Sequence, residues 1–594
     1  MNQDNHTAAL QQLLRERFGL SSFRPAQEAV ITALMAGNSA LAVFPTGSGK
    51  SLCYQLPALM WEGLTLVVSP LIALMKDQVE KLDSLGIAAA RIDSTLADDE
   101  VEQVVAEISH GKLRLLYVSP ERLAASAFRK RLKGIPLAML AIDEAHCISE
   151  WGHNFRPDYL KIARLVRRMK IPRVLALTAT ATTSVARDIR QGFRIAKQHH
   201  FQTGFHRPNL HIHVTGCDDN EKDALLRERL LNSVGPAIVY ATTRTDTERI
   251  ATFLQKDGFA AKSYHAGLTA EMRSMAQESF MSNRTRIIVA TIAFGMGIDK
   301  SDIRTIIHYH LPKCLEGYSQ EIGRAGRDGA VSHCELFACG ADTHKLENFI
   351  HGSTPSHQSM RNLLDRLLRL AKPGKSFAVS PYELSMTHDM REESIRTIFA
   401  YLELDDIIQR TGSFYCHFRV KPLHSLDRMV AGYAAKDRAM IRSLFESAES
   451  AYGSLQFPLF EIAETTGISR SKATQLIQDL ADAGDIRLEQ RGLREVFQTN
   501  KDWNGEIQSV MDRIIERFES RAQFEFTRIN GVVKYAESRK CRARYLTEYF
   551  GVKGPDACGV CDLCLGAKPC KLKQRACPPM PVEEWSTNIR PFSI

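Results

Sequence analysis

Apolar and polar positions alternate in blocks along the first two hundred residues. Ser39–Phe44, Leu64–Ser69, Arg114–Ser119, Ala138–Ile142 and Arg173–Leu177 are short apolar runs, each followed by a polar turn and an amphipathic stretch. That alternation predicts buried parallel strands joined by crossover helices. The pattern restarts after Phe205-His206-Arg207-Pro208-Asn209, with Pro236–Tyr240, Ala261–Tyr264, Thr285–Ala290, Thr305–Tyr309 and His333–Phe337 as the second set. Two α/β domains in tandem imply a cleft between them.

After about residue 345 the pattern becomes helical with short β segments. Two stretches read as winged helices. Pro381–Thr387 and Glu392–Leu402 form the first helix pair, with a wing through Ile407–Val420. Leu459–Thr466 and Ser469–Ala483 form the second, with Asp485–Gln498 as its wing. Helices over Asn504–Arg521 and Tyr535–Phe550 lead into a cysteine cluster. The predicted organisation is α/β: domains at 1–204 and 205–345, winged-helix-like domains at 350–430 and 431–503, a small helical subdomain at 504–566, and a Pro-rich tail at 567–594 without order.

Composition narrows this only modestly. The 594 residues are 44% hydrophobic and 24% charged, which is ordinary for a soluble globular protein. No apolar run is long enough to span a membrane, and Met1–Leu10 lacks a signal-peptide pattern. The expectation is a cytoplasmic protein, nucleoid-associated in a bacterium or nuclear in a eukaryote, with no membrane partner. A formal charge of +9 permits nucleic-acid binding without requiring it. Thirteen cysteines without a secretion signal argue against a disulfide framework, and six of them between Cys541 and Cys577 point to metal.

The chemistry is concentrated in three places. Strand Ser39–Phe44 runs into Pro45-Thr46-Gly47-Ser48-Gly49-Lys50-Ser51 and then a helix. Glycines there let backbone N–H groups wrap phosphate oxygens, and the helix N-terminus adds positive potential. Lys50 would reach the β/γ-phosphates of ATP and the Ser51 hydroxyl would ligate Mg²⁺. Apolar Leu137–Ile142 precedes Asp143-Glu144-Ala145-His146, giving Asp143 as the second Mg²⁺ residue and Glu144 as the base that orients the attacking water. In the second domain Arg324 and Arg327, three apart, would share a helix face and act as arginine fingers on the γ-phosphoryl group.

In order and spacing these residues resemble the RecQ helicases, a branch of helicase superfamily 2. The resemblance runs from Phe18 to about Phe337. It includes Phe23-Arg24-Pro25-Ala26-Gln27, Ser69-Pro70-Leu71-Ile72-Ala73-Leu74-Met75-Lys76-Asp77-Gln78, Thr178-Ala179-Thr180, Tyr264-His265-Ala266-Gly267-Leu268 and Ala290–Lys300. It implies RecA-like folds for both α/β domains, adenine contact by Gln27 and Arg24, and a coupling role for Thr178 and Thr180. Leu20 stands where family members often carry an aromatic, which shifts adenine selectivity towards Gln27. The stretches at Ser69 and at Ser119-Pro120-Glu121-Arg122 are implied to touch the backbone of single-stranded DNA, positioning it without reading sequence. Trp151, Phe155 and Tyr159 with Arg156 follow the Asp143–His146 motif and are interrupted by Gly152 and Pro157, which favours a base-stacking loop over a core stripe. This resembles the aromatic-rich loop of RecQ proteins.

Cys558, Cys561 and Cys564 form a CxxCxxC run, with Cys541 upstream. Four thiolates suit a structural Zn²⁺, and the spacing alone also fits an iron–sulfur cluster. Resemblance to the RecQ zinc subdomain favours zinc and Cys541 as fourth ligand over Cys570 or Cys577. The chain departs from the common RecQ order, because both winged-helix segments precede the zinc site. Arg391, Arg396, Arg470, Lys472, Arg487, Arg491 and Arg494 are candidate duplex contacts there, and Arg521, Arg528, Lys534, Arg539, Lys540, Arg542 and Arg544 a candidate basic track. The functional expectation is an ATP-dependent DNA helicase acting on single-stranded and duplex DNA, 3′ to 5′ by resemblance. The alternatives are an RNA helicase or remodeller, and a DNA-structure-binding ATPase or annealing factor.

Overall fold

The structure is a computed structural model and describes residues 3–572 apart from 94, 95, 97, 150–155, 296, 297, 299 and 452. The chain divides into two compact units, Met1–Thr354 with Glu516–Ile594, and Pro355–Ile515.

The first unit holds two parallel sheets. The first contains β1 (Ala40–Val43), β2 (Leu64–Val68), β3 (Ala89–Ile92), β4 (Leu115–Val118), β5 (Leu137–Ile142), β6 (Val174–Thr178) and β7 (His200–Gln202), in spatial order β3-β4-β2-β5-β6-β1-β7. The central strands are almost wholly apolar, with Thr65, Tyr117 and Thr178 the exceptions, because helices cover both faces. β5, β6 and β1 are neighbours, so the segments leaving their carboxyl ends lie side by side. Ligands bind at such a place in open α/β sheets.

The second sheet contains β8 (Leu210–Gly216), β9 (Ala237–Tyr240), β10 (Ala261–Tyr264), β11 (Ile287–Ala290), β12 (Thr305–His308) and β13 (Ser332–Ala338), in order β10-β11-β9-β12-β13-β8. Its core extends beyond the sheet: Phe526, Val532 and Tyr535 of the helix Ile507–Ala536, Leu546 of the helix Arg542–Tyr549, and Leu572 are all buried within it. Leu572 N–H also donates to Glu537 at 3.2 Å. The tail expected to lack order from residue 567 is therefore packed through Leu572, because an apolar side chain there reaches the core.

The second unit contains β14 (Ser376–Val379), β15 (Ile408–Pro422), β16 (Glu449–Ala451), β17 (Ser454–Pro458) and β18 (Ile486–Thr499) in one antiparallel sheet, β14-β18-β15-β17-β16. Its elements repeat with a constant offset: the helices Pro381–His388 and Leu459–Thr466, the helices Glu392–Leu404 and Arg470–Asp482, and β15 and β18. The helix ends correspond as well. Asp389 and Gly467, then Asp406 and Gly484, hold positive φ at matching positions (51° and 68°, 53° and 75°), as helix C-termini favour.

The wings are not built as expected. Each was read as local to its own module. Instead β14 of the first repeat pairs with β18 of the second, from Ser376↔Gln498 to Val379↔Glu495. β17 of the second pairs with β15 of the first, from Val420↔Leu455 to His417↔Pro458. The two long strands pair with each other from Ile408↔Thr499 to Pro422↔Ile486. Each repeat thus lends its first strand to the other.

Candidate active site

The segment after β1 is the phosphate loop. Gly47 and Gly49 take φ of 82° and 74°, which a side chain would resist. A Cβ on Gly49 would stand 2.6 Å from Gln27 Nε2, so the glycine also makes room for that amide. Gln27 donates to the Ser48 and Gly49 carbonyls at 3.1 and 2.9 Å and accepts from Arg24 N–H at 2.8 Å. The Arg24 guanidinium donates to the Gly47 carbonyl. Both residues implied to touch adenine are thus hydrogen-bonded to the loop itself. Lys50 is half-buried and its ammonium donates to the Phe44 carbonyl at 3.2 Å. Burial lowers its pKa against the pull of Glu144 and Asp143.

Asp143 and Glu144 leave the end of β5. Burial and the adjacent Glu144 charge push Asp143 up to about 6. A carboxylate so placed suits a cation, and with the Ser51 hydroxyl at the start of the helix Leu52–Met60 it is the group that would hold Mg²⁺. Burial opposes charge on Glu144, but the His146 imidazole bonded to it, Lys50 and Arg324 bring it down to about 2. His146 Nδ1 lies 3.2 Å from Glu144 and 2.9 Å from the Thr178 hydroxyl at the end of β6. Burial opposes its charge too, while Cys147 and Glu144 raise it to about 10. Glu144 sits at φ 48°, in the left-handed region, where the chain passes from β5 into the short turn Ala145–Ile148. Tyr159, expected in the stacking loop, is buried and donates to the Asp143 carbonyl at 3.1 Å.

The second domain faces this group. Gln320 Nε2 is 3.5 Å from Glu144 Oε1. The Arg327 side chain comes within 3.7 Å of where a Cβ on Gly47 would stand. Arg324 is buried and donates to the Gly295 carbonyl. The two arginines do not share a helix face as expected. The helix Leu315–Ile322 stops before them, and they occupy a turn in which Gly326 takes φ 52°.

The implied DNA contacts divide. Trp151 and Phe155 lie outside the described residues. Arg156 donates to the Pro70 carbonyl at 3.3 Å, tying the end of that loop to the Ser69–Gln78 segment. Ser69 itself is buried, with its backbone N–H bonded to Val118, so its side chain lies beneath that surface. Arg122 donates to the Asp93 carbonyl at 3.1 Å and braces its own loop. In the second unit Arg396 and Arg410 pair with Glu495, Arg494 with Glu383 and Lys472 with Asp437. Residues 355–515 carry 21 Lys and Arg against 22 Asp and Glu, so the positive excess lies in the first unit.

The four cysteines converge. Cys541, Cys558, Cys561 and Cys564 bring their sulfurs within 4.8 Å of one another. Cys541–Cys561 and Cys558–Cys564 are each 4.0 Å apart, close to the about 3.8 Å edge of a tetrahedron around Zn²⁺. Cys570 stands outside the group against Gly216, and Cys577 lies outside the described residues. Arg542, read as part of a basic track, is fully buried: it bonds Asp562 at 3.0 Å and the Tyr535 and Ala536 carbonyls at 2.6 and 3.1 Å. Asp562 in turn accepts from Val214 N–H at 3.1 Å, and its own N–H donates to Ile212, so the cysteine loop caps the open edge of β8. Arg528 is likewise inside, paired with Glu316. A second group of potential ligands, Asp219, His310 and Asp342, already encloses a cation: Lys222 sits 2.6 Å from Asp342 and 3.0 Å from Asp219.

Comparison with known proteins agrees with this geometry. The DEAD/DEAH box helicase family matches residues 24–189, the helicase conserved C-terminal domain residues 221–329, and the RecQ zinc-binding family residues 505–565. The ATP-dependent DNA helicase RecQ of Bacillus subtilis (strain 168) is 42% identical over 363 residues, 61% of this chain and 61% of that protein. The probable ATP-dependent DNA helicase RecS of the same organism is 40% identical over 357 residues, 60% of this chain and 72% of that protein. The RecQ protein of Haemophilus influenzae is 40% identical over 58% of its own length, so the chain spans about three fifths of such RecQ relatives. On these matches, which run from the first α/β domain to the cysteine loop, the chain belongs to the RecQ family of superfamily 2 helicases.

Proposed function

We propose that this chain is an ATP-dependent DNA helicase that moves 3′ to 5′ along single-stranded DNA and separates duplex strands in recombination or repair. The observation that carries the reading is the approach of Arg327 to Gly47 and of Gln320 to Glu144, from one sheet to the other. ATP bound on the phosphate loop completes a site to which both domains contribute. Lys50 leaves the Phe44 carbonyl for the phosphates. Glu144, held ionised, accepts hydrogen bonds from the attacking water and orients it. Arg324 and Arg327 neutralise charge on the γ-phosphoryl group. Asp143 and Ser51 would hold Mg²⁺, which would supply charge neutralisation for the nucleotide's phosphates.

Because the arginines belong to the second domain, hydrolysis depends on how the domains meet, and the grip on DNA alternates with it. Opening a duplex costs on average about 1.4 kcal/mol per base-pair step, which repeated hydrolysis covers. Phosphate contacts rest on the first unit, where the basic excess lies. No described helix is long and apolar enough to cross a membrane. The working location is that of the DNA, the bacterial cytoplasm and nucleoid or a nucleus.

The test is ATP hydrolysis without nucleic acid, with single-stranded DNA and with single-stranded RNA, by the intact chain and Lys50→Ala. Stimulation by DNA that the variant loses supports the reading, with strand separation as the second assay. Equal stimulation by RNA overturns the substrate, and hydrolysis without strand separation favours the annealing factor.

A further inference from the structure

The turn that carries Arg324 and Arg327 lies beyond the end of its helix and makes few hydrogen bonds of its own: Arg324 and Ala325 N–H donate back to the Glu321 and Ile322 carbonyls, and Gly329 N–H to the Gly326 carbonyl at 3.0 Å. A turn with so few internal hydrogen bonds keeps one conformation only when other groups hold it as well. Here further donors come from the segment that joins the two motor domains. Arg207 donates to the Gly323 carbonyl at 2.9 Å and also to the Gly326 carbonyl. Asn209 Nδ2 donates to Gly326 and Ala330, each at 2.9 Å. Gly323 and Gly326 bracket Arg324, and Gly326 and Ala330 bracket Arg327.

The fit is close. A Cβ on Gly326 would stand 2.5 Å from Asn209 Nδ2 and 2.6 Å from the Ala330 carbonyl. Gly326 is therefore small for the sake of the brace as well as for its φ. Arg207 and Asn209 are themselves anchored on the second domain, by Leu210 N–H to the Arg207 carbonyl at 3.1 Å and Ser332 N–H to the Asn209 carbonyl at 2.9 Å. On the other side the segment leaves the first sheet at Gln202, the last residue of β7.

We infer that Arg207 and Asn209 are positioning residues for the arginine turn, and that they tie the alignment of Arg324 and Arg327 to the path of the chain between the motor domains. When the domains move, the connecting segment bends next to Arg207, and the turn is carried with it. Arg207 holds two carbonyls in fixed directions, which a lysine reaches only one at a time. The inference rests on the reading of Arg327 as the arginine that serves the γ-phosphoryl group.

The experiment is DNA-stimulated ATP hydrolysis by the full chain carrying Arg207→Ala, Arg207→Lys, Asn209→Ala, Arg327→Ala, or Arg207→Ala with Arg327→Ala. Fluorescent ADP affinity and the melting temperature are measured in parallel. The expected result is a kcat loss of about tenfold or more in Arg207→Ala, with KM and ADP affinity within about twofold of wild type. Arg207→Lys should recover part of the loss. The decisive arm is the double variant, which should be no slower than Arg327→Ala alone, since the effect of Arg207 passes through Arg327. Full additivity overturns the inference, as does a rise in KM with kcat unchanged. Should Arg207→Ala fail to fold, Arg207→Lys and Asn209→Ala carry the same comparison. Wild-type kcat in Arg327→Ala would remove the reading on which the inference stands. A large loss there with wild-type kcat in the Arg207 and Asn209 variants removes the brace alone.

Discussion

Thr178 and His146 meet at 2.9 Å, the hydroxyl at the end of β6 against the imidazole that holds Glu144. Two neighbouring strands thus share one hydrogen-bonded unit, with Thr178 also contacting the Thr180 carbonyl at 3.2 Å. Thr178→Val keeps the volume and removes the hydroxyl. A buried donor left without its partner costs about 1–3 kcal/mol. The expected outcome is retained nucleotide affinity with DNA-stimulated kcat down about tenfold, because Glu144 loses its orientation. Steady-state hydrolysis against oligonucleotide concentration, beside fluorescent ADP binding, measures both.

Arg156 anchors the end of the aromatic loop to Pro70. Arg156→Ala should leave hydrolysis without DNA near wild type and weaken its stimulation by single strands about tenfold, as a higher half-saturating DNA concentration. Unchanged stimulation would show that the loop needs no such anchor.

At the zinc subdomain, Asp562 joins Arg542 to the open edge of β8. Removing one partner of a buried ion pair costs about 3–5 kcal/mol. Asp562→Ala should therefore lower the melting temperature and raise amide exchange at Ile212–Val214 as well as around the cysteines. Stripping the metal with a chelator should give the same exchange pattern and release one zinc per chain, counted with a colorimetric dye.

The repeat in the second unit makes a paired prediction. Asp389 and Gly467 occupy matching left-handed positions, one with a side chain and one without. Asp389→Gly should be neutral or stabilising and Gly467→Asp destabilising, each by less than about 1 kcal/mol. Urea melts of the two variants read the sign directly.

Much of the motor was legible because its signals are local. A buried parallel strand is a continuous apolar run, and the phosphate loop needs its glycines and lysine in one order. Cysteine spacing located three zinc ligands, with Cys541 supplied by resemblance. β8 escaped because His211 and His213 interrupt its apolar positions, as an edge strand permits. Arg207 and Asn209 stood in the sequence only as a marker where the α/β pattern restarts. Their role depends on carbonyls far along the chain. Arg542 and Arg528 looked like surface charge because the carboxylates that draw them inside, Asp562 and Glu316, are not their neighbours in sequence. The strand exchange was hidden for a related reason: a long antiparallel strand has a pattern that fits more than one partner, and the tertiary fold chooses.

That exchange has a consequence for synthesis. Val379 pairs with Glu495, so β14 has no partner until nearly all of the insert has left the ribosome. Tyr535 and Leu546, which complete the core around the second motor sheet, are made later still. Translation therefore imposes a sequence of events: the first motor domain can close early, the insert must hold both of its repeats before either is finished, and the second motor core is sealed last. While β14 waits, the long strand of a neighbouring nascent chain on the same message offers the same register, making this insert the place where two copies would trade strands.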